Sequence, residues 1–260
     1  MTGSPPLRPG DLALLVDSKD RRYLLTLADG GQFHSHAGVT AHDAILAAGE
    51  GATVRSGTGA RYLVLRPTLA EYVLAMPRRA QVVYPKDLGA ILLRADVAPG
   101  HRVLEAGVGS GALSLALLRA GARVVGYELR EDFAARARAN VERFLDPGDR
   151  YRVELADAYE GIAEGGLDRV VLDLPEPWRV VAHAEKALVP GGILLSYVPS
   201  IVQVAQLREA LEASRFGLLE TVEVLERGWH VKGAAVRPDH RMVAHTGFLT
   251  TARLLRGAGR

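Results

Sequence analysis

The stretch at residues 103–111, VLEAGVGSG, constrains this chain more than any other. An apolar run carrying an acid, Glu105, gives way to three glycines at alternate positions: Gly107, Gly109 and Gly111. Glycine allows positive φ and lets a backbone approach a ligand closely. Glu128 stands about 20 residues further on, behind a second apolar run, as expected of a strand ending in a ribose-binding acid. A first strand turning tightly into a helix, with a nucleoside cofactor above the turn, is therefore the expectation. A purely structural turn is the bland alternative, because glycine-rich turns are common.

Two details separate the cofactors. A dinucleotide site uses G-x-G-x-x-G, with helix N–H groups holding a pyrophosphate. Here the spacing is G-x-G-x-G, and Glu105 stands two residues before the first glycine. A carboxylate there repels a pyrophosphate and suits a ligand with a cationic amino-acid end. S-adenosylmethionine has such an end, bears a sulfonium, and carries no phosphate.

Around this loop, strand and helix signals alternate. Strands are expected at 102–106, 123–128, 151–155, 168–174, 193–198, 218–225 and 247–255. Helices are expected at 88–95, 112–120, 131–144, 178–188 and 201–214, with a turn at 189–192. That pattern implies a Rossmann-like α/β domain over residues 83–260, with a mainly parallel sheet covered on both faces. Such sheets bind ligands beyond the carboxyl ends of their strands. Residues 1–82 differ: short strand-like runs at 11–16, 22–27, 53–56 and 61–65 are separated by turn signals. They form a small β-rich domain closed by a linker helix at 67–76, which Pro77 ends. Residues 78–87 read as the crossing between the domains.

Composition narrows the setting. The chain of 260 residues has no cysteine, which excludes disulfides, thiolate metal sites and a cysteine nucleophile. No apolar run approaches the roughly 18 residues of a membrane span, and the first residues lack the apolar core of a signal peptide, so a cytoplasmic protein is expected. The net charge is only +2, yet residues 227–260 hold seven Arg/Lys (Arg227, Lys232, Arg237, Arg241, Arg253, Arg256, Arg260) against one acid, Asp239. A basic segment suits a polyanionic partner; a solvated tail is the plain alternative.

Two further motifs fall at expected strand ends. Asp157, with Ala158 beside it, follows the third strand, where a nucleoside site would use it to accept from the adenine amine. The alternative is an ordinary turn aspartate. Asp173 opens DLPEPW at the end of the fourth strand, facing the place where a substrate meets the cofactor methyl. Its alternative role is a helix cap. Trp178 is read as packing. His34, His36 and His42 are too loosely spaced, and too far from any acid cluster, for a metal site; exposure or an RNA-facing role is expected. Arg78 and Arg79 are placed for phosphate contact.

YPKD at 84–87, EAGVGSG at 105–111, YE at 127–128, LDLPEPW at 172–178 and SYVPSIVQV at 196–204 together resemble the TrmI family. These are tRNA (adenine-N1)-methyltransferases that act on position 58 of the T loop. The resemblance runs from about residue 61 to 255, with a weaker N-terminal match, and YPKD and the DLPEPW-type loop are specific to it. It implies an S-adenosylmethionine-dependent catalytic domain, a small N-terminal β domain, tRNA as substrate, and commonly a homotetramer. Carried over by motif, Val83 and Tyr84 border the active site, with Tyr84 in place to stack on or hydrogen-bond the target base; packing at the domain junction is its plain alternative. Ser110, Gly111 and Ala112 cradle the methionine end beside Glu105, Gly107 and Gly109. Glu128 binds the ribose, Asp157 and Ala158 the adenine, and Asp173 is the catalytic residue. Phe133 would flank the adenosine, at a position where the family varies. Rival readings are a methyltransferase of this fold with a protein or small-molecule substrate, a non-catalytic RNA-binding subunit, and an NAD-dependent oxidoreductase.

Overall fold

A computed structural model describes residues 5–78 and 81–257. Arg79 and Arg260, named above, lie outside the described residues. The chain divides into two compact units, Met1–Pro77 and Arg78–Arg260.

In the first unit, β1 (Leu12–Asp17), β2 (Arg22–Thr26), β5 (Thr53–Arg55) and β6 (Arg61–Leu65) form an antiparallel sheet in the order β2-β1-β6-β5. Between them lie a hairpin of β3 (Gln32–Ser35) and β4 (Gly38–Ala41) and a short helix, α1 (His42–Ala48). These three elements are absent from the sequence expectation. His42 is buried rather than exposed, and its Nδ1 accepts a hydrogen bond from the Ala28 N–H at 3.1 Å. It is a structural acceptor that satisfies a loop amide. Tyr62, fully buried, anchors an aromatic cluster with Tyr23 and Phe33. Helix α2 (Leu69–Ala75) starts at a capping box: the Thr68 side chain accepts from Glu71 N–H while Glu71 accepts from Thr68 N–H.

The second unit begins with α3 (Pro85–Arg94), three residues earlier than expected, because Pro85 takes the first helical position, where its missing N–H goes unneeded. YPKD is thus the N-cap and first turn of a helix rather than a linker. Then follow β7 (Arg102–Ala106), α4 (Ala112–Arg119), β8 (Arg123–Glu128), α5 (Glu131–Phe144), β9 (Tyr151–Leu155), β10 (Leu167–Leu172), α6 (Val181–Ala187), β11 (Leu188–Val198), α7 (Ile201–Glu212), β12 (Phe216–Glu223), a hairpin of β13 (Trp229–Lys232) and β14 (Ala235–Pro238), and β15 (Phe248–Leu254). Seven strands align as β12-β15-β11-β10-β7-β8-β9. The five from β7 to β11 pair in parallel, and β15 runs antiparallel to both its neighbours.

Two expectations are corrected here. The turn at 189–192 is part of β11: Leu167 pairs with Leu188 and Arg169 with Ile193, so the extra residues, including Gly191 at positive φ, form an irregularity inside the strand. The helix expected from Trp178 is a 3-10 turn, Pro177–Val180, before α6 proper. Elsewhere α4 is buried from Ala112 to Leu118, as a helix apolar on nearly every side must be, with Ser114 its one buried polar side chain. A core of strand residues such as Leu104, Val170 and Leu194 packs with α6 and α7. No helix among the described residues is long and apolar enough to cross a membrane.

Candidate active site

The site lies at the carboxyl ends of β7, β8, β9 and β10, where the crossing loops leave the sheet. Gly107 turns there with φ +87°, and a Cβ on it would lie 2.1 Å from the Asp173 carbonyl oxygen. Only glycine lets the two loops meet. The contact is clamped from both sides: Asp173 N–H donates to Ala106 C=O at 2.9 Å, and Gly107 N–H to Tyr127 C=O at 3.0 Å. Gly111, at φ +84°, caps α4, and a Cβ on it would crowd Ala137 at 3.1 Å. Gly109 has open space where a Cβ would point.

Two hollows open on this loop. One is walled by Val82, Val83, Glu105, Gly107, Val108, Gly109, Ser110, Ala112 and Asp173. The other is walled by Gly107, Tyr127, Glu128, Leu129, Asp157, Ala158, Tyr159 and Leu174. Gly107 belongs to both, so they lie side by side along the loop. Gly111 stands behind the first as the helix cap. Phe133 and Tyr84 are not among the wall residues. Phe133 is buried in α5 with the Arg130 guanidinium 4.0 Å above its ring. Tyr84 is the N-cap residue of α3.

Electrostatics differ sharply along the site. Glu128 is held by two amides: its Oε2 accepts from Gly109 N–H and its Oε1 from Arg130 N–H, each at 3.0 Å. Both oxygens keep a lone pair for a ligand. Asp157 accepts from Tyr159 N–H at 2.8 Å, which fixes one carboxylate oxygen at the rim. Glu105 is fully buried; its Oε2 accepts from Ser114 Oγ at 2.5 Å, and its Oε1 has no partner. Burial, with repulsion from Asp173 and Glu128, pushes Glu105 up to about 8. No described residue hydrogen-bonds the carboxyl of Asp173, and burial pushes it up to about 7.

The loop carrying Asp173 is braced from outside. Gln203, at the start of α7, donates to Pro175 C=O at 2.7 Å, and Tyr159 Oη accepts from Glu176 N–H at 3.1 Å. Arg179 lies 4.2 Å over the Tyr159 ring and bonds Glu176 at 3.0 Å. A second brace joins YPKD to the far end of the sheet. Lys86 Nζ contacts Asp87 at 2.8 Å, Thr246 Oγ1 at 2.5 Å and Val224 C=O at 2.7 Å, while Thr246 Oγ1 donates to Asp87 at 2.6 Å. Tyr197 donates to Thr246 C=O at 2.7 Å. Its hydroxyl is pushed up to about 12 by burial first, then by Asp87, Asp173 and Tyr84. These groups therefore share one neighbourhood.

Sequence reasoning missed several of these contributors. Leu129, Leu174 and Tyr159 wall the second hollow, and Lys86, Asp87, Tyr197 and Thr246 brace the first. The signal for the leucines was available, since each follows a motif acid directly (Glu128-Leu129, Asp173-Leu174). The bracing network joins residues about 160 positions apart, which no local pattern reports.

The hollows fit S-adenosylmethionine. The unpartnered, buried Glu105 Oε1 wants a cationic donor, Glu128 and Asp157 offer acceptors, and apolar Leu129 and Leu174 offer flat surface for a base.

Comparison with known proteins points the same way. Residues 61–238 match the family model described as tRNA methyltransferase complex GCD14 subunit, and residues 6–54 match the TrmI-like N-terminal model. A curated relative from Thermus thermophilus, tRNA (adenine(58)-N(1))-methyltransferase TrmI, is 44% identical over 94% of this chain and 97% of its own. Among solved structures, one titled a SAM-dependent O-methyltransferase from Thermotoga maritima superimposes with TM-score 0.91 at 32% identity, covering 97% of this chain and 96% of that one. Another, titled tRNA (m1A58) methyltransferase TrmI from Aquifex aeolicus, has TM-score 0.85 at 30% identity, covering 97% and 100%.

Proposed function

The chain belongs to the GCD14 family of tRNA methyltransferases, and on that premise we propose that it methylates N1 of adenine 58 in the T loop of tRNA, using S-adenosylmethionine. The observation that carries the chemistry is Asp173: a carboxyl beside the glycine loop that no described residue engages.

The cofactor supplies an electrophilic methyl on a sulfonium. Adenine N1 has its own lone pair and needs no strong base to attack. The N1–C bond forms as the C–S bond breaks, and the bond pair stays on sulfur. The base becomes cationic and its exocyclic amine more acidic. Asp173 orients that amine, stabilises the growing positive charge and accepts a proton from it. Its carboxyl, pushed up to about 7, is matched to that exchange near neutrality. Glu128 holds the ribose hydroxyls and keeps the glycine loop in register through Gly109. Glu105 and the loop residues Gly107, Gly109, Ser110, Gly111 and Ala112 receive the methionine end, with Val83 covering it. Asp157 accepts from the adenine amine beside Ala158. Phe133 supports the adenosine from α5. Tyr84, sharing the neighbourhood of Tyr197 and Asp173, meets the extruded target base.

The β13–β14 hairpin presents Lys232 and Arg237 to solvent, and the segments flanking it present Arg227 and Arg241, where tRNA phosphates would neutralise them. Exposed Trp229, Val231 and Val236 on the same hairpin are surface that assembly into a homotetramer would cover. A cytoplasmic workplace follows from such a substrate.

The test is transfer of labelled methyl into unmodified tRNA, followed by nucleoside analysis. Label in 1-methyladenosine at the T loop is expected. Label on a ribose oxygen, in protein or in a small molecule would overturn the reading.

A further inference from the structure

Among the described residues, Glu105 is the carboxyl group with a buried oxygen that has no hydrogen-bond partner. It sits on β7 beneath the glycine loop, fully buried. Ser114, on the first turn of α4, donates its only proton to Oε2 at 2.5 Å. Tyr151, at the start of β9, donates in turn to Ser114 Oγ at 3.1 Å. The chain of donors runs one way, from Tyr151 through Ser114 to Glu105, and it leaves Oε1 alone. Three elements, β7, α4 and β9, thus combine to fix one oxygen and withhold every partner from the other. Oε1 belongs to a residue in the wall of the hollow beside Gly109 and Ser110.

A buried carboxylate oxygen with no donor is costly, so the group keeps its proton until a cation arrives. The surroundings reinforce this. Asp173 at the end of β10 and Glu128 at the end of β8 both repel a charge on Glu105. Arg138 and Glu142 of α5 act on Tyr151 with opposite signs. Ser114 is the opposing influence, favouring the ionised form.

We propose that Ser114 and Tyr151 are positioning residues that reserve Glu105 Oε1 for the cofactor's ammonium group, so that cofactor docking expels one proton from the protein. The inference rests on the reading that this hollow takes S-adenosylmethionine. The balance is simple: the Glu105 carboxyl and the ligand ammonium become a carboxylate–ammonium pair, and the carboxyl proton goes to solvent. No covalent bond other than that O–H changes.

The experiment is titration calorimetry of the whole protein with S-adenosylhomocysteine, in buffers of different protonation enthalpy. This ligand keeps the amino-acid end but lacks the sulfonium, so Asp173, in the wall of the same hollow, meets the ammonium but no second cation at the methyl position. With Glu105 pushed up to about 8, roughly 0.9 proton per site should leave at pH 7, about half near pH 8, and almost none at pH 9.5. Glu105→Gln should remove the Glu105 share of that release, and whatever remains reports the ligand's own amine and Asp173. Ser114→Ala should weaken binding roughly tenfold and carry the release to higher pH, while Ser114→Thr, which keeps the hydroxyl, restores both. Tyr151→Phe should do the same by a smaller factor, roughly threefold. Binding with no buffer dependence at pH 7, or unchanged release from Glu105→Gln, overturns the proposal and leaves the cofactor reading intact. Failure of the wild-type protein to bind either form of the cofactor overturns both.

Discussion

Replacing Gly107 by alanine tests how tightly the cofactor loop and the catalytic loop are joined. Two penalties combine. At φ +87° an alanine is strained by about 1–2 kcal/mol. Its Cβ would also lie 2.1 Å from the Asp173 carbonyl, where contacts under 3.0 Å essentially never occur, so one backbone must retreat by about 0.9 Å. That retreat strains the hydrogen bond from Asp173 N–H to Ala106 C=O, which contributes about 1 kcal/mol. The crowding itself adds about 1–3 kcal/mol. Gly109→Ala is the matched control: it shares positive φ, +57°, but meets no atom within 4 Å. Gly107→Ala should therefore be less stable than Gly109→Ala by about 2 kcal/mol or more, which is roughly 4–8 °C in melting temperature at this chain size. Melting should be followed without ligand, so that the open space at Gly109 does not enter. A shift near 1 Å in Asp173 should also lower kcat about 10²-fold. Equal melting temperatures for the two variants, with kcat of Gly107→Ala near wild type, would refute the reasoning.

Other outcomes are as specific. Asp173→Ala should bind cofactor nearly as wild type while kcat falls roughly 10²–10³-fold; unchanged turnover in a single-turnover assay sinks the role. Because Asp173 is pushed up to about 7 and acts as carboxylate, the single-turnover rate should rise with pH through about 7 and then level; a rate that falls over that range contradicts it. Glu105 has a raised pKa in the fold, so its contribution to stability is intact below its usual range near 4.5 and is lost as pH rises toward about 8. Ligand-free Glu105→Gln should therefore gain on wild type between pH 5 and pH 8.5 in chemical denaturation; a constant difference argues against it. Lys86→Ala leaves Asp87 buried without its cation and should destabilise by about 3–5 kcal/mol; a loss under 1 kcal/mol in urea unfolding would show the pair to be dispensable.

How much of this was legible in the residues themselves depends on the range of the interaction. Strands β7, β8 and β10 carry short apolar runs that lead into Glu105, Glu128 and Asp173, so their positions and functional ends follow from local pattern. Helix α3 was half visible: the apolar period starts at Leu88, but Pro85, which opens the helix, reads equally well as a linker proline. The Pro190-Gly191-Gly192 turn survives as the irregularity in β11: Leu188 and Ile193 pair with β10, pairing with β15 starts at Ile193, and the residues between fall outside both registers. In the β13–β14 hairpin only Trp229–Lys232 alternates, and four residues are too short a run to mark a strand. Glu105 was legible as a carboxylate facing a cation. Its one-sided hydrogen bonding was not, because that depends on Ser114 and Tyr151, and on where β9 lies beside β8.

The final strand of the large sheet has a bearing on how the protein is made. β15 follows every other described strand, yet it lies inside the sheet, and within the sheet β12 pairs with β15 alone among the described strands. During synthesis, everything up to β12 can leave the ribosome while the edge of β11 still waits for its neighbour. The interval is prolonged by the β13–β14 excursion. In that interval an apolar strand edge, Leu194 to Val198, is open to pairing with other chains. Nascent copies on one messenger are therefore most prone to cross-pairing just before β15 is made, and slow passage through residues 225–247 would lengthen the exposure. A chain cut short before Phe248 would be left with two raw edges in place of one finished sheet.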